Sequence, residues 1–150
     1  MKRLATFTID GRSFGVDVSR VQEVVRPQEV TPIPLAPPGV AGLINLRGEI
    51  VTALDLRVRL GSETRAGDRA MNLIMTSDQG LVSLLVDEAG EVLEVDDGRF
   101  EPPPATLRGW ARDLFLGTYT LEDRLLMELD VANVIDDMAP SGTDAEVEDR

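Results

Sequence analysis

The 150-residue chain contains neither cysteine nor histidine. Without cysteine there is no disulfide, no thiolate nucleophile and no Cys-ligated zinc or iron–sulfur site. Without histidine, Ser-His-Asp and Cys-His catalysis, HExxH metal sites and the commonest neutral-pH acid–base group are excluded. Lys2 is the only lysine, so no P-loop or Schiff-base lysine can sit in the body of the fold. Aromatics make up 4%, with one Trp and one Tyr, which is sparse for a sugar-binding cleft. No apolar run approaches the roughly 18 residues of a membrane span. Met1-Lys2-Arg3 is basic, but Leu4 to Asp10 is too polar for a signal-peptide core. These absences predict a cytoplasmic protein with few routes to catalysis.

Hydrophobic residues reach 43%, so the chain can fold, and its length suits one domain or two very small ones. Twenty-seven acids against 15 bases give a net charge of -12, which repels nucleic acid and anionic membrane surfaces alike. Carboxylates are the main groups left for chemistry. Asp87, Glu88 and Glu91 lie close together after a strand, and a carboxylate-dependent hydrolase would use them. A solvated acidic face accounts for them as well. No metal or cofactor is expected.

The hydrophobic pattern is mostly of period two. Ala5, Phe7 and Ile9 alternate along a first strand, and Asp10-Gly11 suits a type I′ turn into a second, through Phe14, Val16 and Val18. Ser19 and Gln22 fit a capping box, and Val18, Val21 and Val25 lie at helical spacing, which predicts a short helix over 19–25. Four prolines between 30 and 42 predict an extended surface segment. Gly42 to Leu46 and Ile50 to Leu54 read as strands around an Arg47-Gly48-Glu49 turn, with Asp55 capping a short helix, Leu56 to Leu60. A polar loop follows. Further strands are predicted at 71–76, 81–86, 91–95, 114–118 and 124–129, with a proline connector at 102–104. Asp130 caps a last helix bearing Val131, Val134 and Ile135. Residues 136 to 150 carry six acids and one arginine and are expected to be disordered.

Two stretches repeat. Ile50 to Leu56 resembles Leu125 to Val131, each a strand ending in Leu-Asp-apolar, and Val16-Asp17 recurs as Val86-Asp87. The repeat predicts two similar β units of about 60 residues sharing a hydrophobic interface. Many short strands between Gly and Pro turns favour small barrels over a sandwich.

One set of motifs is more specific. Phe14-Gly15-Val16-Asp17-Val18, Val21-Gln22-Glu23-Val24, Val30-Thr31-Pro32-Ile33-Pro34, Gly42 to Ile50 and Leu54-Asp55-Leu56-Arg57 follow one another in order. Together they resemble the CheW-like domain family over roughly residues 4 to 136. The resemblance implies a mainly β fold of two SH3-like five-stranded β-barrel subdomains with short helices. It implies one domain over 1–138, of two intertwined subdomains, and an acidic tail over 139–150. It implies a non-enzymatic adaptor in chemotaxis signal transduction. The implied partners are the regulatory domain of the histidine kinase CheA and the cytoplasmic tip of methyl-accepting chemoreceptors, which would recruit it to membrane arrays. A coupler of a pilus or other non-flagellar pathway has the same motifs.

The resemblance also names residues. Glu23 and Arg47 match two charged positions important for coupling, able to pair with each other. Charge alone would make them a surface ion pair, worth about 0–1 kcal/mol. Gly48 and Gly42 suit backbone conformations or close contacts that a Cβ would block, and read equally well as simple turn glycines. Val21, Val24 and Val86 are plausible lining for a groove that takes a helical receptor tip, although ordinary core is the better reading of Val21 and Val86. Ser83 stands where many family members have glycine.

Overall fold

A computed structural model of the chain describes residues 2–78, 80–103 and 109–138. The expectations for Pro104 and for the tail 139–150 lie outside the described residues. Strands β1 (Lys2–Ile9) and β2 (Arg12–Asp17) form the first hairpin. Its turn residues Asp10 and Gly11 both have positive φ, 54° and 76°, as a type I′ turn requires. A single 3₁₀ turn, Val18–Arg20, leads into β3 (Val21–Val25). After the proline segment come β4 (Val40–Leu46), β5 (Glu49–Leu54) and a second 3₁₀ turn, Leu56–Val58. Strands β6 (Met71–Ser77), β7 (Gly80–Val86) and β8 (Glu88–Val95) follow. The last described elements are β9 (Phe100–Glu101), α1 (Gly109–Leu114), β10 (Phe115–Thr120), β11 (Leu125–Leu129) and α2 (Val131–Met138).

The strands make two SH3-like sheets, in the orders β8-β1-β2-β11-β10-β9 and β3-β6-β7-β5-β4. The sequence repeat is visible in both. Each sheet holds two hairpins, and in each the second strand of one, β1-β2 or β6-β7, pairs in parallel with a strand of the other that ends in Leu-Asp: β11 beside β2, β5 beside β7. The repeat units are not the spatial units, however. After each hairpin the third strand crosses over: β3 pairs with β6, and β8 with β1. Each sheet is therefore assembled from both halves of the chain.

The predicted helix over 19–25 is a strand. Asp17, not Ser19, caps the 3₁₀ turn, its carboxylate accepting from the Ser19 backbone N–H at 2.9 Å and the Ser19 hydroxyl at 2.8 Å. Those two bonds, the backbone one first, hold the Asp17 pKa below the usual carboxylate range. The valines then pair with β6, which suits β-branched side chains. Helix α1 was not expected, and the strand predicted from Leu114 begins at Phe115. Residues 136–138 belong to α2, whose Met138 is buried.

Among the described residues three apolar clusters hold the fold. The largest lies between the sheets, joining Phe7, Phe14 and Val16 to Leu54, Leu73, Met75, Leu84 and Val86, with α2 packed against it. It includes Phe7 and Phe14 stacked at 5.8 Å. Each sheet also curls around its own interior: Ile44, Leu46, Val51, Ile74 and Leu85 in one, Leu4, Val95, Tyr119 and Leu126 in the other. In the second interior Glu128 is buried, with Lys2 Nζ donating to Oε2 at 2.8 Å, while Oε1 has no hydrogen-bond partner among the described residues. Ser83, buried, donates to Asn72 Oδ1 at 2.9 Å, and Asn72 Nδ2 donates to the Arg26 carbonyl at 3.1 Å. The Ser83 hydroxyl thus has a buried partner.

Candidate partner-binding site

Strands β3 and β4 are the two free edges of their sheet. The chain brings those edges together beyond Val25. It runs extended through the prolines until Thr31 bridges β4, exchanging two backbone hydrogen bonds with Leu43, each 2.8 Å. Gly42 permits the bridge. Its φ is +153°, and a Cβ there would stand 2.3 Å from the Thr31 carbonyl oxygen.

The β4–β5 hairpin closes through Arg47-Gly48, with Leu46 paired to Glu49. Arg47 has φ 51° and Gly48 has φ 93°, again the type I′ pattern. Glycine accepts that conformation freely; an arginine in it is strained by about 1–2 kcal/mol. The Asn45 carboxamide oxygen steadies the turn by accepting from Gly48 N–H at 2.7 Å. So placed, Arg47 Nη2 reaches across the seam to Glu23 Oε2 on β3. The Arg47 side chain remains 65% exposed and that of Glu23 32%. A pair this exposed contributes little to stability. Its donors and acceptors remain open to a second protein.

The predicted lining residues divide. A bulge in β3 between Val21 and Glu23 puts Val21 and Val24 on one face and Glu23 and Val25 on the other. Val24 ends a cross-strand row, Val40–Leu54–Leu84–Leu73–Val24. The row is buried in the middle and 44% exposed at Val24. Val21 is half-buried against the shared core, and Val86 is 1% exposed within it, so Val86 offers no surface to a partner in this arrangement. Glu23, Arg47 and Gly48 are together; Val24 is next to Glu23 on the strand and faces the other way. Sequence reasoning missed Ile50, 62% exposed and just beyond the turn. Its signal was the alternation with buried Val51 and Ala53.

The acids suspected of hydrolytic chemistry are otherwise engaged. Asp87 Oδ1 accepts from Arg57 Nη2 at 2.6 Å, and Asp87 Oδ2 from the Asp10 backbone N–H at 2.8 Å. Arg57 also pairs with Asp10 and donates to the Thr64 hydroxyl at 3.0 Å. Burial opposes the Arg57 charge, but Asp87 and Asp10 outweigh it and hold its pKa above the ordinary value. The cluster is a clamp joining the first hairpin turn, the β7–β8 crossover and the 3₁₀ turn after β5. Glu88 and Glu91 are exposed. Among the described residues no three acids gather as a metal site, and no helix is long and apolar enough to cross a membrane.

Two exchanged SH3-like subdomains with an exposed charged pair at a barrel seam define a β scaffold of two intertwined halves. The particular family follows from comparison: the chain belongs to the CheW-like domain family, whose model matches residues 3–139. A chemotaxis protein CheW of Rhizobium meliloti is 31% identical over 132 residues, covering 86% of this chain and 85% of that one. A chemotaxis protein CheW of Bacillus subtilis is 29% identical over 139 residues, covering 90% and 87%. Among solved structures, the scaffolding protein TtCheW of Thermoanaerobacter tengcongensis superposes with a TM-score of 0.78 at 28% identity, covering 90% of this chain and 92% of that one.

Proposed function

We propose that the chain is a non-catalytic coupling adaptor of chemotaxis, holding the regulatory domain of the histidine kinase CheA to the cytoplasmic tips of chemoreceptors. It works in the cytoplasm and reaches the membrane through those partners. The observation that carries this reading is the Glu23–Arg47 pair. It is exposed, it is aimed by a strained turn, and it is nearly dispensable for stability; strain of that kind accumulates at functional sites. Val24, next to Glu23 on β3, and Ile50, just beyond the Arg47-Gly48 turn, are exposed apolar side chains. Coupling needs no bond to be made or broken. A receptor state that favours one arrangement of the kinase changes the kinase equilibrium through the adaptor's two interfaces, and the coupling is reciprocal.

Calorimetry with the CheA regulatory domain and, separately, with a receptor-tip fragment tests the reading. Micromolar binding to each, about -8 kcal/mol, is expected. Arg47→Glu should weaken the receptor-tip complex at least tenfold and leave the melting temperature unchanged. Failure to bind either partner at high concentration would overturn the reading.

A further inference from the structure

The sheet that carries the Glu23–Arg47 pair also borders a cavity of about 760 Å³, a size within the range of small-molecule sites. Its apolar lining belongs to the sheet's own interior. Ala70 and Leu85 are buried members of that core cluster, and Val30, Ala41 and Ala66 are half-buried against it. The sequence explains the space. Ala41, Ala66, Gly67 and Ala70 have too little side chain to fill it. Pro27, Pro32 and Pro38 restrict the backbone that would otherwise close over it.

The lining contains one buried carboxylate. Asp55 is 3% exposed. Its Oδ1 accepts from the Arg57 backbone N–H at 3.1 Å and its Oδ2 from the Ala66 N–H at 2.8 Å. A carboxylate offers about four acceptor positions, so about two remain. A buried charge is ordinarily matched by an opposite one, yet Asp55 forms no ion pair among the described residues. Arg57, two residues on, has its guanidinium committed to Asp10 and Asp87. The rim has the same sign. Glu29 and Asp68 line it, both exposed, and neither forms an ion pair among the described residues. Arg65, also in the lining, turns onto its own loop, Nη1 donating to the carbonyls of Ser62 and Thr64 at 3.4 and 3.1 Å.

We propose that this cavity binds a compact organic ammonium ion, an apolar body carrying a single amine. The body lies against Ala41, Ala70 and Leu85. The ammonium donates to Asp55 at its remaining acceptor positions, and Glu29 and Asp68 add attraction at the mouth. Charge and polarity select this class. A carboxylate or phosphate ligand would meet three like charges. A sugar would find no aromatic face among the described lining residues. A bare divalent cation would lack ligands, since no three acids gather as a metal site among the described residues. A neutral apolar ligand would leave the Asp55 charge buried and unmatched.

The test is an NMR titration of the full isotope-labelled chain with three six-carbon probes: hexylammonium, hexanol and hexanoate. Hexylammonium should shift the Ala66, Gly67 and Ala70 amides saturably, with a Kd at least tenfold below that of hexanol. Hexanoate should cause no saturable shift there. Nuclear Overhauser contacts should place the methylene beside the nitrogen near the Ala66 amide, which bonds to Asp55. Asp55→Asn would disturb the turn that Asp55 caps, so the charge is varied at the rim. Glu29→Gln with Asp68→Asn should weaken hexylammonium binding at least threefold and leave hexanol unchanged. Ala66→Leu should fill the cavity and weaken both at least tenfold, and Ala41→Leu repeats that test from β4. Equal affinity for hexylammonium and hexanol would overturn the proposal. So would shifts spread over the acidic surface and unaffected by either leucine, which would mark general attraction to a chain of net charge -12. Hexylammonium that never saturates these amide shifts would overturn it too.

Discussion

Replacing Gly42 with alanine tests the barrel closure that positions the Glu23–Arg47 pair. The new Cβ would lie 2.3 Å from the Thr31 carbonyl oxygen and 2.8 Å from both the Thr31 carbonyl carbon and Val30 Cγ1. Backbone cannot yield there without opening the Thr31–Leu43 bridge and its two hydrogen bonds. Each bond is worth about 1 kcal/mol net, and the positive φ adds strain of order 1–3 kcal/mol. Alanine recovers about 0.4–1 kcal/mol through the unfolded chain. The expected loss is about 3–4 kcal/mol. Gly48→Ala is the matched control: its φ is +93°, but nothing lies within 4 Å of its added Cβ. It bears the strain without the collision and should lose about 1 kcal/mol. In thermal melts that separates a fall of about 6–16 °C from one of about 2–4 °C. Urea titration should give the same order with unchanged m-values. Equal losses for the two alanines would refute the claim that a steric bridge closes this barrel.

Other perturbations have equally definite outcomes. Ser83→Ala should cost about 1–3 kcal/mol in urea titration, because it leaves the Asn72 carboxamide oxygen buried without its donor. Arg57→Met should cost about 1–3 kcal/mol, discounted for the one-third exposure of Asp10 and Asp87, and the deficit should narrow as salt rises from about 0.05 to 1 M. The pKa of Lys2 is raised above 10.5, first by its hydrogen bond to Glu128. The stabilisation from that contact is therefore full below pH 10.5 and fades as pH rises through the raised value. The stability difference between wild type and Lys2→Met should accordingly be constant near neutrality and shrink in strong alkali. A difference that grew instead would reverse the sign assigned to this pair.

Local signals were legible wherever one residue type solves a local problem. Asp10-Gly11 announced its hairpin, Arg47-Gly48 its turn, and Asp55 and Asp130 the helical turns they cap. The 19–25 segment was misread for a physical reason. Val18, Val21 and Val25 lie at helical spacing, but the strand with its bulge turns Val21 to one face and Val25 to the other, and Asp17 takes the capping role expected of Ser19. The strand exchange was not legible as pairing, because β3 meets β6 and β8 meets β1 across some 50 to 90 residues of chain, and only tertiary burial selects those partners. At the site, Glu23 and Arg47 were found through motif resemblance. Their contact depends on the curl that brings opposite sheet edges together. Val86 shows the converse: an apolar residue beside a motif reads the same in sequence whether it lines a groove or fills a core.

A coupling adaptor must join two other proteins. Co-sedimentation tests it most directly, with receptor tips displayed on vesicles, the CheA kinase in solution, and this chain present, absent, or carrying Arg47→Glu. Kinase should sediment with the receptors when the wild-type chain is added, much less with Arg47→Glu, and least without it. Kinase recovery that does not depend on the chain would contradict it.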